Sequence, residues 1–287
     1  MRVAVTGADG FTGAYLIDAL RGAGLESRAL AADLTDPAAV AAEVAEAPFD
    51  RLIHLAGEAF VAGDDWRRFY AVNQLGTLNL LDAVAAARPG ARCILASSAQ
   101  VYGPAASGLV DESRPPAPDN HYALSKLAME LCARVFADRL EIVVVRPFNY
   151  TGRGQQPRYL VPKIVDHFRR HAAAIELGNL DVRRDLGDVR AVADAYVGLA
   201  LVPAPPRLAN IATGTARSVR DVVALASSLT GHTLEIRVNP AFVRAADVPI
   251  LAGDPTVLRN ALPNWRPRPF EETLEWMLAE PAAPSSR

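Results

Sequence analysis

From the first residue to about position 147, short apolar runs alternate with longer stretches in which apolar residues recur at helical spacing. Residues 2–6, 51–55, 93–97 and 141–145 are continuous runs rich in Val, Ile and Leu, the pattern of strands covered on both faces. Segments 12–23, 37–45, 66–87 and 121–138 carry one apolar face each and are predicted as helices. Alternating strands and helices of this length require right-handed crossovers, which stack into a doubly wound parallel α/β sheet of the Rossmann type. Ligands of such a sheet bind at the carboxyl ends of its strands. Beyond Pro147 the rhythm loosens into Gly152-Arg153-Gly154, a basic helix over 162–171 and Arg183-Arg184-Asp185. Then follow Asn210-Ile211-Ala212, a helix from near Ser218, a strand over 234–238 and a last helix over 270–279.

The chemistry begins at the end of the first strand. Thr6-Gly7-Ala8-Asp9-Gly10-Phe11-Thr12-Gly13 leads from that strand into the first helix, the setting in which a glycine motif binds a dinucleotide. Gly7 serves the tight turn, Gly10 the approach of backbone to pyrophosphate, and Gly13 the packing of helix on strand. Asp33 stands 20 residues after Gly13, the distance of a ribose-binding acid. Only residues 26–32 separate the first helix from Asp33-Leu34-Thr35-Asp36, so the second strand and its turn read as shortened, and Asp33 meets either ribose or adenine. The choice between NAD(H) and NADP(H) stays open; Arg28 is an available positive group. Residues 1–149, with returning segments near 185–215, are expected to form the dinucleotide-binding domain. Residues 150–184 and 216–280 are expected to form a smaller mixed substrate-binding domain, and residues 281–287 a frayed tail.

Tyr122-Ala123-Leu124-Ser125-Lys126 places a phenol and an ammonium one turn apart on a helix. A free tyrosine titrates near ~10, and a neighbouring cation favours its phenolate. Ser98, at the end of a predicted strand, is placed to hydrogen-bond the oxygen of an alcohol or ketone. These three groups make a hydride-transfer site when joined to a dinucleotide loop.

With Ser97-Ser98 before Val101-Tyr102-Gly103, and Asn73 in Val72-Asn73-Gln74-Leu75-Gly76-Thr77, the chain resembles the extended short-chain dehydrogenase/reductase family of nucleotide-sugar enzymes. The resemblance runs from Arg2 to Leu278. It implies Ser98, Tyr122 and Lys126 as the catalytic set and Asn73 as a structural and proton-relay partner. It also implies that Lys126 holds the nicotinamide ribose. Phe11, Thr12, Leu34, Leu55, Ala56, Gly57 and Asn73 would then line the cofactor, with His54-Leu55-Ala56-Gly57 beneath it.

Residues 146–155, Gly178 to Asp185 and Arg244-Ala245-Ala246-Asp247-Val248-Pro249 look most like the branch containing GDP-mannose dehydratases and GDP-4-keto-6-deoxy-D-mannose reductases. That resemblance implies a GDP-linked sugar, with Asn149, Arg184 and Arg244 at its diphosphate and Lys163 and Asp247 near its nucleoside. Arginine suits the task because its planar fork makes paired bonds to phosphate oxygens. In the dehydratases an acid lies two residues after the catalytic Ser or Thr; here Gln100 stands there and cannot ionise. Dehydration is therefore not expected. Three readings remain: a 4-keto reductase acting on a 6-deoxyhexose or 6-deoxyheptose, a 4-epimerase with tightly bound NAD, and a non-catalytic dinucleotide sensor. The long helices 66–87 and 121–138 resemble those that pair into a four-helix dimer interface in this family, and that resemblance implies a homodimer.

Composition narrows the field without adding a function. With 51% hydrophobic and 22% charged residues the chain has material for a real core, and a net charge of −2 offers no global field for nucleic acid or an anionic membrane. Trp66, Trp265 and Trp276 show no stacking pattern of a single-strand binder. Cys93 and Cys132 lack metal or disulfide spacing and read as core thiols. His167 and His171 are four apart but lack a third ligand. Glycine interrupts the start at Gly7, before a signal-peptide apolar region develops, so a soluble cytoplasmic protein is expected.

Overall fold

The computed structural model describes residues 1–59, 65–104, 106–242 and 248–279. Arg244, Asp247 and the expected frayed tail lie outside the described residues. In chain order the first elements are β1 (Arg2–Thr6), α1 (Phe11–Gly22), β2 (Glu26–Leu30), α2 (Pro37–Glu46), β3 (Arg51–His54) and α3 (Arg67–Phe69). A π-helical stretch, Tyr70–Gly76, joins α3 to α4 (Thr77–Ala87). There follow β4 (Arg92–Ala96), β5 (Gly108–Val110), α5 (His121–Ala133), β6 (Glu141–Pro147) and β7 (Tyr150–Thr151). The second half holds α6 (Leu160–Arg169), β8 (Ala174–Leu177), β9 (Arg183–Asp185), β10 (Gly187–Asp188), α7 (Val189–Leu201) and β11 (Leu208–Ile211). It closes with β12 (Ala216–Ser218), α8 (Val219–Thr230), β13 (Glu235–Val238), β14 (Ile250–Gly253), α9 (Thr256–Ala261) and α10 (Phe270–Leu278).

Six strands form one parallel sheet in the order β11-β6-β4-β3-β1-β2. The period-two pattern buries both faces: Ala4, Leu52, Cys93 and Leu95 pack with α2, α4 and α5, while Val3, Val5, Ile53, Ile94 and Val145 pack with α1 and α7. After β1 the chain steps outward to β2 and then back across β1 to β3, so the topology reverses beside the glycine loop. The remaining strands make a mixed sheet, β12-β9-β14-β5, and two parallel pairs, β13-β8 and β10-β7. Next to them α6, α8 and α10 enclose a separate core around Ile164, Phe168, Val222 and Leu274.

Three expectations are corrected. β2 is not shortened: with five residues it equals β1, but it is the exposed edge of the sheet, so its sequence shows no apolar run. The helix expected over 121–138 ends at Ala133 and tightens into a 3₁₀ turn, Arg134–Phe136. The stretch expected as one helix over 66–87 contains the π-helical segment, and at its end Thr77 Oγ1 donates back to the Asn73 carbonyl at 2.7 Å.

Arg92 fastens one end of the sheet. Its guanidinium, 3% exposed, grips Glu141 and donates to the carbonyls of Leu199, Val202 and Pro203, closing the C-terminus of α7. Replacing Arg92 with Ala leaves those carbonyls unpaired and should cost about 2–3 kcal/mol in a urea unfolding titration; an unchanged midpoint would contradict this role.

Candidate active site

The candidate residues gather at the carboxyl ends of β1, β3, β4 and β6, although the sequence scatters them. Gly7 takes φ +67°, and a Cβ there would stand 2.8 Å from the Ala56 nitrogen. A Cβ on Gly13 would come within 2.1 Å of the Gly7 carbonyl oxygen, so only glycine lets α1 begin this close to the loop. Gly10 caps α1 without a side-chain acceptor, unlike α2, α5, α7 and α8, whose caps are Asp36, Asn120, Asp188 and Ser218. The N–H groups opening α1 therefore face the loop without a side-chain acceptor, a cradle that fits a pyrophosphate. Phe11 stacks near Tyr150, with centroids 6.2 Å apart, and Thr12 Oγ1 hydrogen-bonds Tyr150 Oη at 2.8 Å.

A buried polar chain joins the ends of β1 and β3. Thr77 commits its proton to Asn73, so it accepts from His54 Nε2 at 2.8 Å, and His54 Nδ1 accepts from Thr6 Oγ1 at 2.7 Å. Thr6 Oγ1 in turn accepts from the Ala56 N–H at 3.2 Å, while the Leu55 N–H reaches the Thr6 carbonyl. Burial, reinforced by Lys126, pulls His54 down to about 3, so the ring is neutral. Asn73, 1% exposed, binds the Glu58 N–H and carbonyl and donates to Ser125 Oγ at 3.0 Å, locking residues 57–58 to α5. The family resemblance puts His54 beneath the cofactor; what the motifs did not indicate is the hydrogen-bonded chain that joins it to Thr6 and Thr77.

Tyr122 and Lys126 lie one turn apart on α5, next to the end of β4. Ser98, 9% exposed, lies beside the Tyr122 phenol and accepts from the Gln100 N–H at 3.1 Å. Burial pushes Tyr122 up to about 12, with Ser98 opposing. Lys126 is 5% exposed and donates from Nζ to the Ala96 carbonyl at 2.8 Å; burial pulls it down to about 8. A Cβ on Gly57 would stand 3.0 Å from Lys126 Nζ and 2.8 Å from Asn73 Oδ1, so glycine keeps the floor open above the ammonium. Phe69 lies edge-on to Tyr122, a neighbour that the motifs did not indicate.

The more distant candidates take differing places. Asp33 is exposed and turns its carboxylate to the Thr35 N–H and hydroxyl, which hold it below the usual carboxylate range. Leu34 is buried against Gly76. Asn149 follows β6 with an exposed side chain, and its carbonyl accepts from Gly187. Lys163 donates to the Glu176 carbonyl and sits 4.4 Å from the centre of the Phe242 ring; Arg184 donates to the Val248 carbonyl at 2.6 Å. Among the described residues no helix is long and apolar enough to cross a membrane.

The chain matches the family described as GDP-mannose 4,6 dehydratase over residues 25–277. The chain belongs to that family. It is an extended short-chain dehydrogenase/reductase, which sets aside the non-catalytic sensor. The GDP-6-deoxy-D-talose 4-dehydrogenase of Aggregatibacter actinomycetemcomitans is 38% identical over 275 residues, 92% of either chain. The GDP-6-deoxy-D-mannose reductase of Pseudomonas aeruginosa is 33% identical over 281 residues, 93% of this chain and 92% of that one. The solved structure of RMD from Pseudomonas aeruginosa in complex with NADPH superposes with a TM-score of 0.87 at 32% identity, covering 97% of each chain.

The neutral His54 gives this enzyme an acid-sensitive support. Its value of about 3 lies below the ordinary imidazole value of 6.5, so its contribution is full above 6.5 and is lost as pH falls toward 3. Urea unfolding at stepped pH should show stability falling by about 1.4 kcal/mol per pH unit more steeply for wild type than for His54→Gln across that window; parallel curves would show that the ring is not held neutral.

Proposed function

We propose that this enzyme reduces the C4 ketone of a GDP-linked 4-keto-6-deoxy sugar with NAD(P)H. The observation that carries the reading is the Ser98–Tyr122 contact over a buried Lys126, with Gln100 in place of an ionisable acid two residues after Ser98. Gln100 cannot shuttle protons to sugar carbons, so the family's dehydration chemistry is not supported. The two curated relatives, a 4-dehydrogenase and a reductase of GDP-6-deoxy sugars, support exchange of hydride at C4. The NADPH held by the Pseudomonas structure supports a nicotinamide reductant.

The bound dinucleotide would supply the hydride. Gly7, Gly10 and Gly13 would seat its pyrophosphate, and Lys126, beneath Gly57, would meet its ribose. The Ser98 hydroxyl holds the ketone oxygen beside Tyr122. With its phenol pushed well above neutrality, Tyr122 keeps its proton until charge develops on that oxygen, then gives it up as C4 becomes an alcohol carbon. The Lys126 ammonium favours the phenolate left behind. Talose and mannose differ at C4, so the two relatives' products bracket the stereochemical outcome, and a heptose substrate differs by one exocyclic carbon. This reading carries with it a cytoplasmic location.

The decisive assay offers GDP-4-keto-6-deoxy-D-mannose with NADPH and NADH in parallel and identifies the sugar product by NMR. Oxidation of cofactor should fall by about 10²–10⁴ in Tyr122→Phe. No oxidation would remove this substrate; C4 inversion of a sugar nucleotide without net cofactor consumption would replace the reductase by an epimerase.

The reading includes a homodimer. Leu124, Leu131 and Val135 are exposed at helical spacing on α5 and the turn after it, and Leu75 is exposed on the neighbouring helical run. Such a stripe fits a second copy packing helix against helix. Sedimentation should find a dimer for wild type and a monomer for Leu131→Glu/Val135→Asp; a monomeric wild type at micromolar concentration would refute the interface.

A further inference from the structure

Glu130 follows Lys126 by one turn of α5 and is 3% exposed. It meets Arg146 of β6, itself 2% exposed, through two hydrogen bonds: Nε to Oε1 at 2.9 Å and Nη2 to Oε2 at 2.6 Å. The Ser97 hydroxyl donates to the same Oε1. The Arg146 guanidinium also lies 4.7 Å from the centre of the Tyr102 ring, and Tyr102 Oη donates to Asn210 Oδ1 at 2.7 Å. Ser97 is the link between Ala96, whose carbonyl holds Lys126, and Ser98, which lies beside the Tyr122 phenol.

A buried ion pair is poor evidence of stability, because well-packed apolar residues usually serve a core as well or better. This pair occupies the one place where its charge reaches Lys126 and its geometry reaches Ser98. We propose that Glu130, held by Arg146 and Ser97, is a positioning residue of the proton-transfer site, supplying the counter-charge of Lys126 and fixing the strand end that carries Ser98. The inference rests on the reading of Tyr122 and Lys126 as the proton-transfer pair.

The charged and titratable surroundings of Lys126 are few. Tyr122 and Glu130 share its helix, neutral His54 faces it from β3, and Arg146 reaches it from β6 through Glu130. The Ala96 carbonyl and Asn73 Oδ1 also lie beside it, without charge. Glu130 is the group that opposes the fall caused by burial. Without its charge Lys126 loses its proton nearer neutrality, and the phenolate of Tyr122 loses its cation.

Lys126 and Lys163 are the only two lysines in the sequence, so the ammonium can be observed directly. Protein carrying [6-¹³C]lysine gives two side-chain signals, assigned with Lys163→Arg, and their pH titrations need neither cofactor nor substrate. In Glu130→Gln, which keeps the shape and removes the charge, the Lys126 midpoint should fall by about one pH unit or more while Lys163 stays unchanged. Glu130→Asp should restore the midpoint toward the wild-type value. If Glu130→Gln does not fold, Glu130→Gln/Arg146→Met also removes the guanidinium that the single variant strands without a carboxylate, and it should lower the midpoint in the same direction. A Lys126 titration that superimposes on wild type, or a Glu130→Asp midpoint as low as that of Glu130→Gln, overturns the proposal. Absence of hydride transfer in the wild type would strike the reductase reading alone, because the lysine titration is read independently of turnover.

Discussion

A lysine ammonium held out of water at the carboxyl edge of a parallel sheet is the constraint on which this site turns. Burying a charge is costly unless it is hydrogen-bonded and faced by an opposite charge. The Ala96 carbonyl provides the first and Glu130 the second. Meeting both needs brings α5 against the ends of β4 and β6, which is why Tyr122 and Ser98 meet where they do. His54 lies close enough for its own protonation to be opposed by Lys126, so the polar chain beneath the site is neutral.

The cofactor end obeys a steric constraint instead of an electrostatic one. Gly7 and Gly13 leave no room for a Cβ, so the turn after β1 closes tightly and α1 starts with its N–H groups facing the loop. Helices α2, α5 and α7 end their N-termini on Asp or Asn side chains; α1 has no such cap, which leaves its N–H groups suited to an anion. The two constraints meet at Gly57, whose missing side chain leaves the space between Lys126 and the segment after β3. The reversal of strand order at β1 places that space between the loop and α5.

Much of the site was legible because it is local. Gly7 to Gly13 spans one strand-to-helix turn, and Tyr122 with Lys126 spans one helical turn, so backbone geometry alone carries the spacing. Other elements escaped for identifiable reasons. Helix α7 is buried nearly all round, with Val189, Ala191, Val192, Ala193, Ala195, Tyr196, Val197 and Leu199 in the core, so no polar face marks its period. β2 lies at an exposed edge and lacks an apolar run, and β9 and β10 are short, charged and paired only with distant strands.

The sequence by itself determined the parallel α/β frame, the glycine loop and the one-turn spacing of Tyr122 and Lys126, since each follows from periodicity or from residues within a few positions of one another. Tertiary structure decided what surrounds that pair. Glu130 reads in sequence as a charge on a helix, Arg146 as the end of a strand and His54 as one polar residue among apolar ones. Their roles arise only when β3, β4, β6 and α5 converge and exclude water, because the strength of a charge depends on what is buried beside it, and linear spacing does not record that.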